Sequence, residues 1–580
     1  MLYQELVQVY AALAATPKRL EKTHLLATFI KKLNNQDMNH VLLLLQGLVF
    51  PLWDERKLGI ADKLVLRAIH LATGTPTENI EQLWKQHGDL GDATAVCVAS
   101  KSQITLFSNP LTLEKVFTNL QHLATFTGEG TVDKKIALVS ELLANATPEQ
   151  SKYIIRTTLE DLRIGLGEGT LRDSIVWACF DTIIGITYDS AHNDLVITPE
   201  QRKTYNTFLD LVQSAYDRTT DLAAVLSAAR AGEETLKKIT IKPGNPLNVM
   251  LYQKAKNISE ALATVGTPAS AEYKYDGFRI QIHKTNNTIK LFTRKLEDVT
   301  PQFPDIIQTL HATPPVDFII EAEVVGYDPA QQKYLPFQNI SIRIQRKHNI
   351  EQTAQHYPVH TILFDLLYLD GRDCTSLPYK DRIDLLTTFW KQTPTVYLAT
   401  RIISSQEQEV FTFYQQSLAQ GNEGIMLKNL SSPYQPGSRV GFGVKVKAVM
   451  DAFDAVIVGA EWGEGKRSAW LASFVIACIH NNEYLTIGRV GTGFKEKAEE
   501  GTTFAQLTEL LKEHIQEQKG KDVIIKPAIV IEVNYEEIQQ SPSYASGYAL
   551  RFPRFIRLRP DKKPLDANTL ADLKRLYAQQ

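Results

Sequence analysis

The chain has 580 residues, of which 44% are hydrophobic and 22% are charged, and its formal net charge at pH 7 is -2. The length exceeds what one hydrophobic core usually organises, so we expect two to four folded domains. The near-zero net charge excludes a uniformly basic nucleic-acid-binding protein, so any affinity for DNA must come from local patches. One such patch, residues 551–563, has six Lys or Arg residues against a single Asp.

The N-terminus is predicted to form an amphipathic helix, because Glu5 and Gln8 interrupt its apolar residues. It lacks the order of a secretion signal, and no stretch approaches the roughly 20 apolar residues of a membrane span. We therefore expect an intracellular protein, in the cytoplasm, nucleoid or nucleus, with no membrane partner. The four cysteines are widely spaced and are expected to be free thiols, not metal ligands or disulfides.

Residues 1–240 have apolar residues at spacings of three and four, which predicts an all-α domain. One clear helix start lies at Thr147, which is followed by Pro148 and, three residues after the threonine, by Gln150. The segment 242–250 contains two prolines and one glycine, which is typical of a linker.

After this linker the apolar period changes to two, as in β-strands. Helical stretches such as 379–390 separate the strands, so we expect an α+β domain over 241–440. The remainder, 441–580, has short strands, turns and one helix near 500–518, which is typical of a small β-barrel. The predicted strands are 318–326, 361–369, 424–429 and 444–447 in the middle domain, and 454–460, 473–480, 483–490 and 528–538 in the last.

The stretch AEYKYDGFRIQIH, residues 271–283, places Lys274 two residues before an Asp-Gly pair. Asp276 and Gly277 predict a tight turn with a returning strand, which would bring Lys274 close to Arg279. In that strand, a period of two points Phe278, Ile280 and Ile282 one way and Arg279 and Gln281 the other. An isolated lysine in a strand usually lies at an edge with its ammonium in water. For Lys274 a functional role is favoured over a position at a sheet edge, because charged residues that could form a site with it recur in the neighbouring predicted strands.

These complementary charges are carboxylates and cations. Period two places Glu321 and Glu323 on one strand face. Glu423 stands at the start of a further strand, and Lys445 and Lys447 project together from another. Magnesium prefers a few carboxylates plus substrate phosphates, and cationic side chains suit phosphate oxygens. The set therefore predicts a site for a phosphate-bearing substrate and a divalent metal.

A lysine can attack phosphorus only as the neutral amine. With an unperturbed pKa near 10.4, only about one lysine in 2,500 is neutral at pH 7. Neighbouring cations and a bound metal disfavour the ammonium form. This predicts that Arg279, Lys445, Lys447 and a metal ion are gathered around Lys274.

The segment around Lys274 resembles the nucleotidyltransferase motif of a lysine, any residue, Asp-Gly and then an arginine. Later segments resemble, in order, the partner motifs of ATP-dependent DNA ligases of the archaeal and eukaryotic replicative type. The segments EDLRIGLGEGTLRDSI and GNPLNVMLYQKAKNISEAL resemble that family's helical DNA-binding domain and the approach to its catalytic domain, so the resemblance spans most of the chain. The partner motifs are LFTRKLEDVT, FIIEAEVVGYD, TILFDLLYLDG, EGIMLKNLSSPYQPGSR, GVKVK and RFPRFIRLRPDK.

The resemblance implies three chemical steps on ATP and nicked double-stranded DNA, with Mg²⁺ or Mn²⁺ as the metal. It implies that Lys274 takes AMP from ATP, that AMP passes to the 5′-phosphate of the nick, and that the 3′-hydroxyl then displaces AMP. It also implies an oligonucleotide-binding (OB-fold) barrel as the last, mobile domain and a protein that acts as a monomer. Whether a sliding clamp recruits it stays open.

The family's functional residues transfer to this sequence where the motifs match. The resemblance assigns Glu272 to the adenine and ribose side of ATP, Arg279 and Arg294 to the sugar and phosphates, Glu323 to ribose or a metal, Phe364 to stacking on adenine, Glu423 to a metal, Arg439, Lys445 and Lys447 to phosphates, and Arg559 and Lys562 to the leaving pyrophosphate.

Three positions depart from the family pattern. Ala322 replaces a usual glycine, Gly443 stands where tryptophan is common, and Pro560 stands where an acidic residue is usual. Two groups of alternatives stay open: an RNA ligase or an mRNA capping guanylyltransferase, and a non-catalytic DNA-binding scaffold. The long helical region argues against the capping enzyme.

Overall fold

The computed structural model describes residues 1–101, 110–126, 128, 130–311, 316–346, 348–447, 452–463, 467, 469–495 and 501–578. The contacts between residues divide the chain into two units, Met1–Val446 and Lys447–Gln580. Within the described ranges, every helix is too short or too polar to cross a membrane.

The first part of the larger unit is helical, as the sequence predicts. The helix start at Thr147 is confirmed, because its hydroxyl accepts a hydrogen bond from the Gln150 amide while the Gln150 side chain accepts one from the Thr147 amide. A two-stranded ribbon, β1 (Thr187–Asp189) with β2 (Asp194–Val196), is an element that the sequence analysis does not predict. The helices are α1 (Tyr3–Ala15), α2 (Arg19–Lys32), α3 (Met38–Leu45), α4 (Asp62–Thr73), α5 (Thr77–His87), α6 (Leu90–Ala99), α7 (Leu113–His122), α8 (Thr131–Asn145), α9 (Pro148–Thr158), α10 (Glu168–Ile184), α11 (Pro199–Thr219), α12 (Leu222–Ala231) and α13 (Glu233–Lys237).

The rest of this unit is built on two β-sheets, which we call the first and the second sheet. The first sheet has the order β12-β4-β13-β14-β3, with β3 (Leu251–Lys254), β4 (Ala269–Lys274), β12 (Arg401–Ser404), β13 (Gly424–Asn429) and β14 (Arg439–Lys447). The second sheet has the order β10-β9-β7-β5-β6, with β8 on β7 and β11 on β9; its strands are β5 (Phe278–Thr285), β6 (Thr288–Thr293), β7 (Phe318–Asp328), β8 (Lys333–Leu335), β9 (Val359–Leu369), β10 (Arg372–Asp373) and β11 (Val396–Leu398). The accompanying helices are α14 (Ile258–Val265), α15 (Pro304–His311), α16 (Phe337–Gln345), α17 (Ile350–His356), α18 (Tyr379–Phe389) and α19 (Glu407–Ala419).

Strand alternation decides which side chains of β5 are buried in the core. Phe278, Ile280 and Ile282 belong to a hydrophobic core with α15 and α18, as predicted. Arg279 and Gln281 point the other way and hydrogen-bond to the chain that leads into β3. This second face carries the polar residues that concern function.

The predicted hairpin at Asp276-Gly277 is wrong. β4 pairs with β12 and β13 in the first sheet, whereas β5 pairs with β6 and β7 in the second. The glycine is required at this crossing, because a Cβ on residue 277 would collide with the backbone carbonyl of Val324 on β7. Lys274 and Arg279 therefore end up on two different sheets.

The smaller unit is rich in strands. A seven-stranded sheet has the order β17-β16-β15-β19-β18, with β20 on β15 and β23 on β20, and β21 pairs with β22. The elements are β15 (Phe453–Trp462), β16 (Leu471–His480), β17 (Glu483–Val490), α20 (Phe504–Lys512), β18 (Ile515–Lys519), β19 (Asp522–Ile525), β20 (Val530–Asn534), β21 (Glu537–Gln540), β22 (Tyr548–Arg551), β23 (Arg554–Leu558) and α21 (Leu570–Ala578).

Two predictions for this unit need correction. The helix expected near 500–518 ends at Lys512, and the residues that follow form β18, because Gly520 at φ 63° makes a turn that pairs β18 with β19. The strand expected at 528–538 is divided into β20 and β21, which belong to different sheets.

Candidate active site

Lys274 lies at the end of β4, between two neighbouring strands and not at a sheet edge. Its Nζ is 2.6 Å from Oε2 of Glu423, and the Glu423 backbone amide donates a hydrogen bond of 2.8 Å to the Lys274 carbonyl. The two side chains are 21% and 26% exposed, so a substrate can reach them. The first partner of Lys274 is thus an anion, whereas the sequence analysis predicts that cations surround it.

Glu323 of β7 contributes a second carboxylate. It stands opposite Arg279 in the strand register. Burial raises the pKa of Glu323 to about 7, and the nearby positive charges of Lys274 and Arg279 only partly oppose this rise, while Glu423 adds to it. Lys274, Glu423 and Glu323 are thus near enough for their charges to interact, and we call the space that they border the cleft.

Two carboxylates near Lys274 fit a metal that completes its shell with substrate phosphates and water. No group of three or more His, Cys, Asp or Glu residues that could hold a metal occurs among the described residues. Glu323 and Glu423 would supply two ligands to magnesium, and oxygens of the substrate and of water would supply the others.

Deeper in the cleft, Glu272 of β4 pairs with Lys428 of β13 at 2.6 Å, and each side chain is only 4% exposed. Burial favours the neutral lysine, but the nearby carboxylates, Glu272 first among them, outweigh burial and raise the pKa of Lys428. The other carboxylate oxygen, Oε1 of Glu272, is buried and has no hydrogen-bond partner among the described residues. A buried acceptor of this kind fits a ligand that donates a hydrogen bond.

Phe364 is the extra residue of a β-bulge, because β7 pairs with Leu363 and Asp365 on either side of it. Its half-buried ring lies 5.4 Å from the guanidinium carbon of Arg279 and 5.0 Å from Nζ of Lys428, measured to the ring centroid. The bulge thus turns an aromatic face into the cleft beside Glu272 and its lysine.

Arg279 is held by protein groups. Its Nε donates to Glu321 Oε1 at 3.0 Å, its Nη2 donates to the other Glu321 oxygen and to the Tyr434 hydroxyl, and its Nη1 donates to the Met250 carbonyl at 2.7 Å. Burial opposes the charge of Arg279, but the Glu321 carboxylate more than compensates and raises the pKa of the guanidinium. Glu321, which shares a strand face with Glu323 as predicted, therefore fixes the arginine.

Two other predicted cations are exposed. Arg294 follows β6 and Arg439 begins β14. Neither guanidinium makes an ion pair or hydrogen bond to another residue in the part of the chain that the structure describes. Lys445 is half-buried on β14, where Val444 and Val446 point into the hydrophobic core and leave the lysines on the other side.

The remaining predicted cations belong to the smaller unit. Arg559 binds Asp454 at 2.9 Å and Asp561 at 2.7 Å, and Lys562 binds the same Asp454 at 2.6 Å. Hydrogen bonds from Arg559 lower the pKa of Asp561 to about 2. Lys447 pairs with Glu536 at 3.1 Å. Carboxylates of this unit therefore hold all three cations.

Three residues of these hydrogen-bond and ion-pair networks, Lys428, Asp454 and Tyr434, are not predicted from the sequence. Strand period two could have found Lys428, because it places this lysine on the same face of β13 as Gly424, which stands opposite Lys274. Asp454 is the second residue of the buried strand β15, and an aspartate at that position only weakly indicates an ion pair. Tyr434 lies in a loop after β13, and no local pattern indicates that its hydroxyl donates to Glu321.

The cleft, with a strand-borne lysine beside carboxylates and an aromatic face, fits the nucleotidyltransferase class that the motif around Lys274 indicates. Three family models match the chain in order: "DNA ligase N terminus" over residues 2–176, "ATP dependent DNA ligase domain" over 249–447 and "ATP dependent DNA ligase C terminal region" over 467–562. The chain belongs to the ATP-dependent DNA ligase family.

Full-length similarity supports the same assignment. A DNA ligase of Nanoarchaeum equitans (strain Kin4-M) is 43% identical over all of this chain and 99% of its own length. A DNA ligase of Thermococcus fumicolans is 37% identical over the same shares of the two chains. A solved structure described as Pmar-Lig_Pre matches 96% of this chain and 99% of its own at a TM-score of 0.51 and 16% identity, which supports the fold alone.

Proposed function

We propose that this ATP-dependent DNA ligase uses Lys274 as the nucleophile that carries AMP. The neutral amine attacks the α-phosphorus of ATP, a phosphorus-nitrogen bond forms, and pyrophosphate leaves. The 5′-phosphate of a DNA nick then takes the AMP, and the 3′-hydroxyl displaces AMP and forms the phosphodiester bond. The observation that carries this proposal is the placement of Lys274 beside Glu423, in a cleft shared with Glu323.

The adenine side of ATP is assigned to Glu272 and Phe364. The unpartnered Oε1 of Glu272 would accept a hydrogen bond from the base, and Lys428 fixes the carboxylate for that purpose. The half-buried ring of Phe364 offers a face on which a purine can stack. Arg279, locked by Glu321, would lie beside the sugar.

The phosphates are assigned to the cations around the cleft. Arg294, Arg439 and Lys445 would bind triphosphate oxygens, since two of them are exposed and carry no internal partner among the described residues. Glu323 and Glu423 would hold a magnesium ion together with substrate phosphates, and the ion would supply positive charge at the reacting phosphorus. Lys274 attacks as the neutral amine, so its ion pair with Glu423, which stabilises the ammonium form, would have to separate first.

The strand-rich unit is assigned as an OB-fold, and its Arg559 and Lys562 as the groups that orient pyrophosphate. Asp454 binds both side chains at once, which supports a common role for them. Lys447 is assigned to a phosphate of the substrate, which would have to compete with Glu536. We place the domain boundaries at 1–240, 241–440 and 441–580.

Nicked double-stranded DNA is the proposed substrate, bound by a monomer that encircles it. Contacts to backbone phosphates would dominate, so binding should be independent of sequence and should weaken strongly as salt rises. Recruitment by a sliding clamp and an intracellular location fit this role.

Labelling with nucleotides tests the proposal. We expect α-labelled ATP with magnesium to give an acid-stable adduct that maps to Lys274, and α-labelled GTP to give none. Lys274→Ala should form no adduct yet still bind nicked DNA, whereas Lys290→Ala, which removes a half-exposed lysine from β6, should react normally. A GTP adduct would indicate a capping enzyme, the absence of any adduct would indicate a scaffold, and preferential sealing of nicked RNA would indicate an RNA ligase.

A further inference from the structure

Gly443 of β14 has no room for a side chain. A Cβ placed there would fall inside the van der Waals surface of the Tyr252 ring on β3, at Cδ1 and Cε1. The backbone of Gly443 does not have a positive φ, so its conformation does not require glycine. The constraint is therefore the tyrosine ring, which lies directly on the Gly443 backbone.

The pairing of β3 with β14 explains how the ring comes to lie there. Tyr252 pairs with Val440, but the next residue of β3, Gln253, pairs with Val444. Three residues of β14, 441–443, thus bulge opposite a single step of β3. Bulges near active sites commonly redirect a side chain, and this one makes the surface on which the ring packs.

The Tyr252 side chain is half-buried and packs partly on the cluster that contains Tyr434. Burial raises the pKa of its phenol to about 12, and charges of the cleft, those of Lys428, Arg279 and Glu272 among them, act on it. These residues come from both sheets and border the adenine and sugar parts of the assigned ATP site. The ring therefore packs beside the groups that hold Arg279, because Tyr434 of the same cluster accepts a hydrogen bond from Arg279 and donates one to Glu321.

We propose that Tyr252 is a further nucleotide-binding residue, whose ring forms a wall against the purine nucleoside part of ATP, and that Gly443 is the residue that seats it. The inference rests on the proposed function, because ATP is the ligand. It also accounts for the departure at Gly443, since a tryptophan there would occupy the volume that the Tyr252 ring fills.

The test measures the half-saturating ATP concentration and the maximal rate of adenylate formation. Tyr252→Ala should raise the half-saturating concentration about tenfold, since a lost aromatic contact is worth up to that factor. The maximal rate should change little, because the binding lost is the same in ground and transition states. Tyr252→Phe keeps the ring and should stay within about twofold of the wild type.

Substitution of Gly443, on which the Tyr252 ring packs, gives a second, independent measurement. Gly443→Trp should displace the Tyr252 ring and raise the half-saturating concentration, and combining it with Tyr252→Ala should restore a value close to the wild type because the indole refills the volume. Tyr368→Ala is the matched control, since Tyr368 packs on the same hydrophobic cluster. It should lower thermal stability without changing the half-saturating concentration.

The outcomes separate this inference from the proposed function. If the wild type forms no adenylate, the proposed function fails. If the wild type reacts and Tyr252→Ala binds ATP equally well, or loses affinity no more than Tyr368→Ala does, the inference about Tyr252 is overturned while the ligase mechanism stands. If Gly443→Trp does not fold, the half-saturating ATP concentrations of Tyr252→Ala and Tyr252→Phe, compared with each other, test the inference without it.

Discussion

Replacing Lys428 by methionine keeps the length of the side chain but leaves a buried carboxylate without its cation. The Lys428 and Glu272 side chains are each 4% exposed and lie 2.6 Å apart. Removal of one partner of a buried ion pair costs about 3–5 kcal/mol, because the remaining charge keeps its desolvation penalty. Oε1 of Glu272 already has no partner among the described residues, so both oxygens would be unpaired. We expect the free energy of unfolding to fall by about 4 kcal/mol.

The double variant Glu272→Leu with Lys428→Met separates stability from function. Apolar residues of similar volume can replace a buried ion pair at little cost in stability. We therefore expect the double variant to regain most of the loss, with a coupling energy of about 3 kcal/mol between the two sites. Adenylation should not recover, because the assigned adenine contact needs the Glu272 carboxylate, which the double variant lacks.

Native-state hydrogen exchange, followed by mass spectrometry on peptides from β4 and β13, measures the free energy of opening where the pair lies. Lys237→Met is the matched control, because Lys237 pairs with Glu233 on an exposed helix surface and its loss should leave that free energy unchanged. The reasoning is refuted if Lys428→Met behaves like this control, or if the double variant is as unstable as the single one.

Three further predictions concern titration and the leaving group. The pKa of Glu323 is raised to about 7, so the rate of adenylation at limiting magnesium should fall as the pH drops through 7. Saturating magnesium should move the midpoint of this fall to lower pH, because the metal competes with the proton for the carboxylate. A midpoint that does not change with the magnesium concentration would contradict the metal role. Lys562→Ala should slow adenylation at least tenfold more than sealing of pre-adenylated DNA, in rapid-quench assays of the two reactions, and equal losses would argue against pyrophosphate orientation. Burial lowers the pKa of His283 from 6.5 to about 3, so below pH 6.5 the unfolded chain takes up a proton that the native protein does not. The free energy of unfolding, which is highest above pH 6.5 as far as this group is concerned, should therefore be lower by about 3 kcal/mol at pH 4. In urea titrations His283→Gln should flatten this decline, and parallel pH slopes would show that another group is responsible.

Much of the secondary structure follows from local pattern. The strand predicted at 424–429 matches β13 residue for residue, and the helix expected at 379–390 is α18, Tyr379–Phe389. Alternation along β5 correctly separates the core residues from Arg279. These successes have one physical reason, since a period of 2 or 3.6 residues is set by the backbone and is visible in a single sequence.

The assignment of strands to sheets does not follow from local pattern. Asp276-Gly277 has the composition of a hairpin turn, yet it connects two sheets, because β4 pairs with β13 and β5 pairs with β7, both of which lie far along the chain. Ile515 begins a strand where helical spacing continues past Lys512, because pairing with β19 overrides the local preference. Both errors arise from contacts between residues that no short window of sequence contains.

The same distinction applies to the site. The structure pairs Lys274 with Glu423, two residues that the motifs assign to one site. Sequence reasoning misses Lys428 because a lysine in an apolar strand is ordinarily a surface residue, and only the partner on β4 shows that it is buried. It misses Tyr434 because a loop gives no periodicity from which a side-chain direction can be inferred.

Most of the cations assigned to ATP already have a carboxylate partner within the protein. Lys274 is held by Glu423, and Asp454 holds both Arg559 and Lys562. A triphosphate must therefore compete with these carboxylates for the cations. Its net affinity is the free energy of the new ion pairs to phosphate minus that of the internal ion pairs that are broken, and it is smaller than the number of cations suggests. The exposed Arg294 and Arg439 need no such exchange with any described residue. On the proposed assignment these two arginines can therefore contribute their full attraction to a phosphate, whereas each paired cation contributes only what remains after its internal ion pair is broken.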